Sequence, residues 1–431
     1  MKPKKLLSRG ANVLLASFCA LPVYAASFQG LGDLPGGSFY SDTVGVSADG
    51  TAVVGTSQSA NGYEAYRWTA TNGMVGLGDL PGGSFYSYAT GVSADGSVVI
   101  GRGTYASTGE AFRWTQATGM VSLGDLPGGD TYSEARAVSA NGQVVVGVSR
   151  SALSGTDNEG FRWTAATGMV GLGALSGGRF RSEPYAVSAD GSVIAGWSDS
   201  AIGIQAFRWS QAAGMVGLGD FPGGATNSIA YAISADGRVV VGRGYSGAFD
   251  AYTHEAFRWT ADTGLVRLGF ISCNDWSIAH AVSADGSIIV GDPETTGDCA
   301  FIWDAQHGMR NLHAVLVNDY GLNLRGWQLS SARGISPDGA FIAGNGINPS
   351  GKYEAWLANL KPHSLGLRRS GSNVVLSWPT NAVGFTLQST TNLTPLANWA
   401  DSANAPTVVG TELMVTNAAA EARRFYRLLK R

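Results

Sequence analysis

Ser93-Ala94-Asp95-Gly96-Ser97-Val98-Val99-Ile100-Gly101, then Phe112-Arg113-Trp114, then Leu123-Gly124-Asp125-Leu126-Pro127-Gly128-Gly129, is a unit that the chain writes again and again. Its opening tetrapeptide returns at Ser47, Ser188, Ser234 and Ser283, with the variants Ser139-Ala140-Asn141-Gly142 and Ser336-Pro337-Asp338-Gly339, which makes seven copies. In all seven a β-branched run closes on a glycine five residues past the tetrapeptide's own, so one turn and the strand behind it never change length. An aromatic run follows (Tyr66-Arg67-Trp68, Phe161-Arg162-Trp163, Phe207-Arg208-Trp209, Phe257-Arg258-Trp259, Phe301-Ile302-Trp303), altered in the last copy to Glu354-Ala355-Trp356. Nine residues behind each of the first six tryptophans stands a leucine, mostly within Gly-Leu-Gly-Asp-Leu-Pro-Gly-Gly.

Each unit of about 46 residues therefore holds four β-prone runs separated by Gly, Asp, Asn and Pro, the pattern of a four-stranded propeller blade. No helical period stands out. The fourth run reaches seven copies only if Phe28-Gln29-Gly30-Leu31-Gly32-Asp33-Leu34 is counted, whereas the last unit ends after its third run at Leu360. The reading is an all-β chain: a seven-bladed β-propeller over 26–360, closed by its N-terminal strand so that no sheet edge stays free. Residues 361–431, with Val374-Val375-Leu376-Ser377-Trp378, Phe385-Thr386-Leu387-Gln388 and Phe425-Tyr426-Arg427-Leu428, read as a small fibronectin-III-like β-sandwich.

The chain begins with Met1-Lys2-Pro3-Lys4-Lys5, an apolar stretch Ala11 to Tyr24, and Val23-Tyr24-Ala25 before Ala26. Residues 1–25 thus read as a cleaved export signal. Bulky Phe18 ahead of Cys19 argues against a lipid anchor. No later run is apolar for long enough to span a bilayer as a helix, so a secreted, extracellular or cell-surface protein is expected, with the periplasm as the other compartment. Of the 61 residues carrying charge, 32 are acidic and 29 basic, and Lys2, Lys4, Lys5 and Arg9 leave with the signal. No cluster of Lys and Arg remains to meet phosphates, which excludes nucleic acid as a partner.

The Ser-x-Asp-Gly turn, β-branched strand and aromatic-Arg-Trp run resemble WD-repeat blades, with Ile335-Ser336-Pro337-Asp338-Gly339 and Trp303-Asp304 as literal echoes. More closely, Gly-Leu-Gly-Asp-Leu-Pro-Gly-Gly and Glu-Ala-Phe-Arg-Trp-Thr resemble the HAF-repeat family of bacterial extracellular proteins over roughly residues 28–360. That resemblance implies export and a repeat architecture, and no activity. Leu376-Ser377-Trp378-Pro379 and the terminal Phe425-Tyr426-Arg427-Leu428 are similar to C-terminal modules of exported Verrucomicrobia-type proteins, which implies a surface or sorting appendage.

Length variation is confined to one face. From the strand-two glycine to the aligned tryptophan position the gaps are 13, 13, 16, 13, 17, 12 and 14 residues, while the turns of the other face are constant. A rigid scaffold with variable loops places a ligand there. The candidate binding residues are Arg243, Tyr245, Asp250, Tyr252 and His254 of the longest loop, with Trp197 and Trp276. Cys273 and Cys299 fall on the same face and within one blade, and are expected to pair as a disulfide.

The five histidines show no zinc-ligand spacing, and no nucleophile elbow or phosphate loop has its strand-to-helix setting. No metal, cofactor or catalytic residue is expected from these motifs. The function expected is a monomeric, non-catalytic binding or structural module for a polysaccharide or protein. The alternative is a secreted hydrolase with acidic residues gathered in the axial funnel.

Overall fold

The computed structural model describes residues 26–430 apart from 106–107, 274, 294–296, 362–364, 380–384, 392–397, 411 and 419–423. The export segment assigned to residues 1–25 lies outside them. Two compact units emerge, Ser27–Leu360 and one that holds Lys361–Arg431. The first is all-β and made of four-stranded antiparallel sheets, seven among the described residues. Their first strands are Gly36–Val46, Gly82–Val92, Gly128–Val138, Ser182–Val187, Ser228–Ile233, Ile278–Val282 and Gln328–Ile335, and the sheets are numbered here in that order. Six sheets are continuous in sequence. In the seventh, Tyr353–Asn359 takes its fourth partner from the chain's start, Ser27–Gly30, in the register Ser27 to Asn359 and Gly30 to Trp356.

The repeated residues are the joints between sheets. In Ser93-Ala94-Asp95-Gly96 the serine hydroxyl accepts from Val98 N–H at 2.9 Å and donates to Asp95 Oδ1 at 2.6 Å, closing the turn. Gly96 sits at a φ of 69°, and a Cβ there would stand 2.8 Å from that of Ala52 in the preceding sheet. The alanine carries a second bond. Ala48 N–H donates to Ala94 O, Ala94 to Ala140, Ala140 to Ala189, Ala189 to Ala235, Ala235 to Ala284 and Ala284 to Pro337. This ladder runs from sheet one to sheet seven in order. Pro337 has no N–H with which to continue it to Ala48.

The motif arginines bridge the same joints. Arg67, Arg113, Arg162, Arg208 and Arg258 each donate Nε–H to the turn glycine carbonyl of the next sheet. A further joint lies in a serine that precedes each tetrapeptide serine by six residues. Ser133, fully buried, donates to Gly124 O at 2.7 Å and accepts from Ala111 N–H at 3.0 Å. Ser41, Ser87, Ser182, Ser228 and Ser277 repeat the arrangement, and Ser41 thereby grips Ala355 of sheet seven. Ser133→Ala leaves a buried donor and a buried acceptor unmet, at a cost of about 1–3 kcal/mol. Urea unfolding of the variant measures it, and a loss below the error of the method would mean that water replaces the hydroxyl.

Between sheets the third-strand aromatics fill the core. Tyr66, Phe112, Phe161, Phe207, Phe257 and Phe301 are fully buried, and Trp356, paired with Gly344, occupies the same slot in sheet seven. One element departs from an all-strand reading: Leu312–Asn318 is an α-helix, capped by Asn311, which accepts from Ala314 N–H at 2.9 Å. It buries Leu312, Val315 and Leu316 and lies in the connection from Leu312 to Ser336, which takes 24 residues where the other units take 15 or 16. At seven residues it is too short to print a helical period on the sequence. The unit holding Lys361–Arg431 has two antiparallel sheets around one apolar cluster that includes Trp378, Leu376, Leu387 and Leu428.

Candidate functional site at the propeller axis

A β-bulge interrupts every first strand of the seven sheets. In sheet three Ala135 pairs with Gly147 and Ala137 with Val146, so Arg136 is the extra residue. The same shift singles out Val44, Thr90, Tyr185, Tyr231, His280 and Arg333 in the other sheets. Each bulge presses the carbonyl two residues ahead of it onto the neighbouring strand. A Cβ at Gly147 would lie 2.0 Å from Glu134 O, and Gly55, Gly101, Gly196, Gly242, Gly291 and Gly344 are equally crowded. The invariant strand-two glycine is therefore the steric counterpart of the bulge. Bulges re-aim side chains, and here all seven bulge residues line one cavity of about 500 Å³ bounded by the first strands of every sheet.

The chemistry of this ring is uneven. Sheets one and two contribute Val44 and Thr90, whereas sheets three to seven contribute Arg136, Tyr185, Tyr231, His280 and Arg333. His280 Nε2 lies 3.0 Å from Asp292 Oδ2, and both groups are almost wholly buried. Arg333 Nε stands 3.5 Å from the same carboxylate oxygen, and its Nη1 is 3.3 Å from Nδ1 and 3.1 Å from Nε2 of His280. Assigning the ring proton to Nε2, where a carboxylate accepts it, leaves the Nδ1 lone pair for Arg333 or a ligand. Tyr231 packs on His280 with ring centroids 5.5 Å apart and on Tyr185 at 5.3 Å.

Across the ring, Arg136 is held by Glu134 at 3.2 Å and Glu183 at 2.9 Å, and lies 4.4 Å above the Tyr185 ring. Burial works against its charge but is outweighed by Glu134, Tyr185 and Glu183, so its proton is held more firmly than usual. In sheet one, burial pushes the Asp42 carboxyl up against the bonds from Thr56 N–H and Tyr40 that favour its charged form. Burial, with Asp42 beside it, likewise raises the Tyr40 phenol.

Most residues expected from the long loop do meet, but on strands. Val240–Tyr245 and His254–Thr260 pair as far as Tyr245 with His254, so Arg243, Tyr245 and His254 stand on strands and not in the loop between them. Arg243 contacts His254, whose ring stacks on Tyr245 at 5.0 Å and packs on Trp276 at 4.7 Å, and Tyr252 meets Tyr245 edge-on at 5.6 Å. Asp250 is a turn residue that accepts from Tyr252 N–H and Thr253 Oγ1. Trp197 belongs to another group: it is buried beneath Arg181, whose guanidinium lies 4.6 Å from its ring and reaches Glu183. Arg243 Nε donates to Tyr231 Oη at 3.1 Å, which ties the expected cluster to the axial ring. The sulfurs of Cys273 and Cys299 are joined as a disulfide, with Cα atoms 6.1 Å apart.

Burial, and then the neighbouring Arg243 charge, lower the His254 pKa from 6.5 to about 4. The folded chain thus takes up this proton less readily than the unfolded one, and stability is lost as pH falls from 6.5 towards 4, with no contribution above that window. His254→Gln should flatten that decline, as read from urea midpoints across the pH range. An equal decline in the variant would place the acid sensitivity elsewhere.

The ring residues escaped the sequence reading, although a signal was there. They stand three residues before each tetrapeptide serine, at a site that varies among Val, Thr, Arg, Tyr and His while its neighbours hardly change.

No family model matches the chain, and no curated protein does. Among solved structures, an oligogalacturonate lyase in complex with manganese is similar at 12% identity over 80% of this chain and 99% of that one, with a TM-score of 0.48. TolB from Acinetobacter baumannii is similar at 12% identity over 88% of this chain and 84% of that one, with a TM-score of 0.39. Both are β-propellers. These likenesses concern the fold alone. They nevertheless correct one expectation: an enzyme stands among the neighbours, so a non-catalytic binding or structural module is not what they indicate. The physical reason is the bulges, which gather the reactive side chains at the axis and not on the variable loops. No helix of the described residues is long and apolar enough to cross a membrane.

Proposed function

We propose that this chain is an exported enzyme acting at the axis of a closed seven-bladed propeller, and that it cleaves a carboxylated polysaccharide by β-elimination. The observation that carries the reading is the bulge-aimed ring in which Asp292 and Arg333 hold His280 beside Tyr231, with Arg136 in the same cavity. Elimination next to a carboxylate needs a cation on that carboxylate, a base for the adjacent C–H and a proton for the departing oxygen. Arg333 supplies the first and His280 Nδ1 the second, whereas Arg136 is already neutralised by Glu134 and Glu183. Tyr231 or Tyr185 supplies the third: as the C–H pair becomes the C=C bond and the glycosidic C–O bond breaks, the phenol protonates the leaving oxygen.

A two-carboxylate hydrolase is less well served, because Glu134 and Glu183 are both committed to Arg136. The closed ring is supported by the alanine ladder and by Ser27–Gly30 completing sheet seven. Membership of the HAF-repeat family, a fibronectin-III-like fold for 361–431 and a periplasmic or extracellular address belong to the same reading.

The test uses purified residues 26–431 with polygalacturonate and alginate, following ultraviolet absorbance of an unsaturated uronyl end together with new reducing ends. Both signals rising together support elimination. Reducing ends without absorbance mean hydrolysis, and neither signal on any acidic polymer sinks the enzyme reading.

A further inference from the structure

The first strands and the residues leading into them, in the part that lies outside the lining of the axial cavity, are divided by residue type. The residue just ahead of the stapling serine is Tyr40, Tyr86 and Tyr132 in sheets one to three, but Arg181, Asn227 and Trp276 in sheets four to six. On the first side Tyr63, which lies near the start of its strand in sheet one, fits between two of these tyrosines, with ring centroids 5.8 Å from Tyr40 and 6.0 Å from Tyr86. The row continues inward, since Tyr86 meets Tyr88 at 5.9 Å. Its inner members are anchored: Tyr40 donates to Asp42 at 3.1 Å and Tyr88 to Glu134 at 3.0 Å. Glu134 is the residue that also holds Arg136 in the cavity, so the row and the axial site share a side chain. Tyr63 and Tyr86 are 41% and 44% exposed.

We infer that Tyr63 and Tyr86 form a shelf for the sugar units that follow the one in the axial cavity, which makes the natural substrate a polymer and not a dimer. The inference rests on the acidic-polysaccharide reading above. A phenol ring offers a flat apolar face with a polar edge, which suits the C–H face and hydroxyl rim of a pyranose. The Tyr63 and Tyr86 rings, 6.0 Å apart and inclined at 66° to each other, offer two separate contacts to consecutive sugars. Arg102, whose guanidinium lies 5.0 Å from the Tyr132 ring, stands beside Tyr88 at the inner end, where a carboxylate of the chain would need a cation.

The experiment compares the Tyr63→Ala/Tyr86→Ala double variant with the unaltered chain on the polyuronate that is turned over and on its shortest cleaved oligomer. The expected result is a KM raised about tenfold on the polymer, with kcat and the oligomer KM unchanged. The Tyr63→Phe/Tyr86→Phe double variant, which keeps both rings, should restore the polymer KM, and circular dichroism checks that each variant folds. An unchanged polymer KM, or an equal rise on both substrates, overturns the shelf and leaves the elimination reading standing. No turnover by the unaltered chain removes both.

Discussion

His280→Gln lowers kcat on the acidic polysaccharide by about 10²–10⁴-fold, the range that a positioned general base contributes. The substitution is chosen so that the fold has no reason to change. Gln can still donate to Asp292 and accept from Arg333, so the buried carboxylate keeps both neighbours. What disappears is a nitrogen able to take a proton, so the ascending limb of the pH–rate profile should vanish with the activity. Asp292 acts through the imidazole and is a positioning residue. Asp292→Asn should depress kcat while sparing KM, because the ring loses the acceptor that fixes its tautomer. A His280→Gln variant that retains full activity would remove the imidazole from the chemistry and return attention to the raised carboxyl of Asp42.

The second large effect is on stability. Arg136→Met takes the shared cation from Glu134 and Glu183, leaving the first with Tyr88 and the second, whose side chain is only 6% exposed, with Arg181, and removing one member of such a buried set costs about 3–5 kcal/mol. The desolvation cost of each carboxylate stays when its partner leaves. Combining the change with Glu134→Gln should recover part of the loss, which urea unfolding of the single and double variants measures as a coupling. A shift under about 1 kcal/mol would mean that water reaches both carboxylates, as at a surface pair.

The repeat was readable because its joints are local: a serine, an aspartate and a glycine close one turn, and the same residues then bond the next sheet. The bulges were not. A bulge is a register difference between two strands, and nothing within Ala135-Arg136-Ala137 states that Arg136 has no partner. Its trace is indirect, in the glycine at 147 that makes room for Glu134 O. The loop reading reached Arg243 and His254 through length variation, yet it missed that both stand on paired strands, where Arg243 reaches the axial Tyr231. Trp197 looked like a ligand-facing aromatic and is a buried platform for Arg181.

The joint between sheets seven and one differs from the others, since Pro337 ends the alanine ladder and Ser27–Gly30 fills the last place in the sheet. During synthesis that strand precedes every other strand of Ser27–Leu360, and Tyr353–Asn359, its partner, comes only after six whole sheets. The ring therefore cannot shut until almost all of Ser27–Leu360 has been delivered. Until then the seventh sheet's outer edge stands open to any extended peptide.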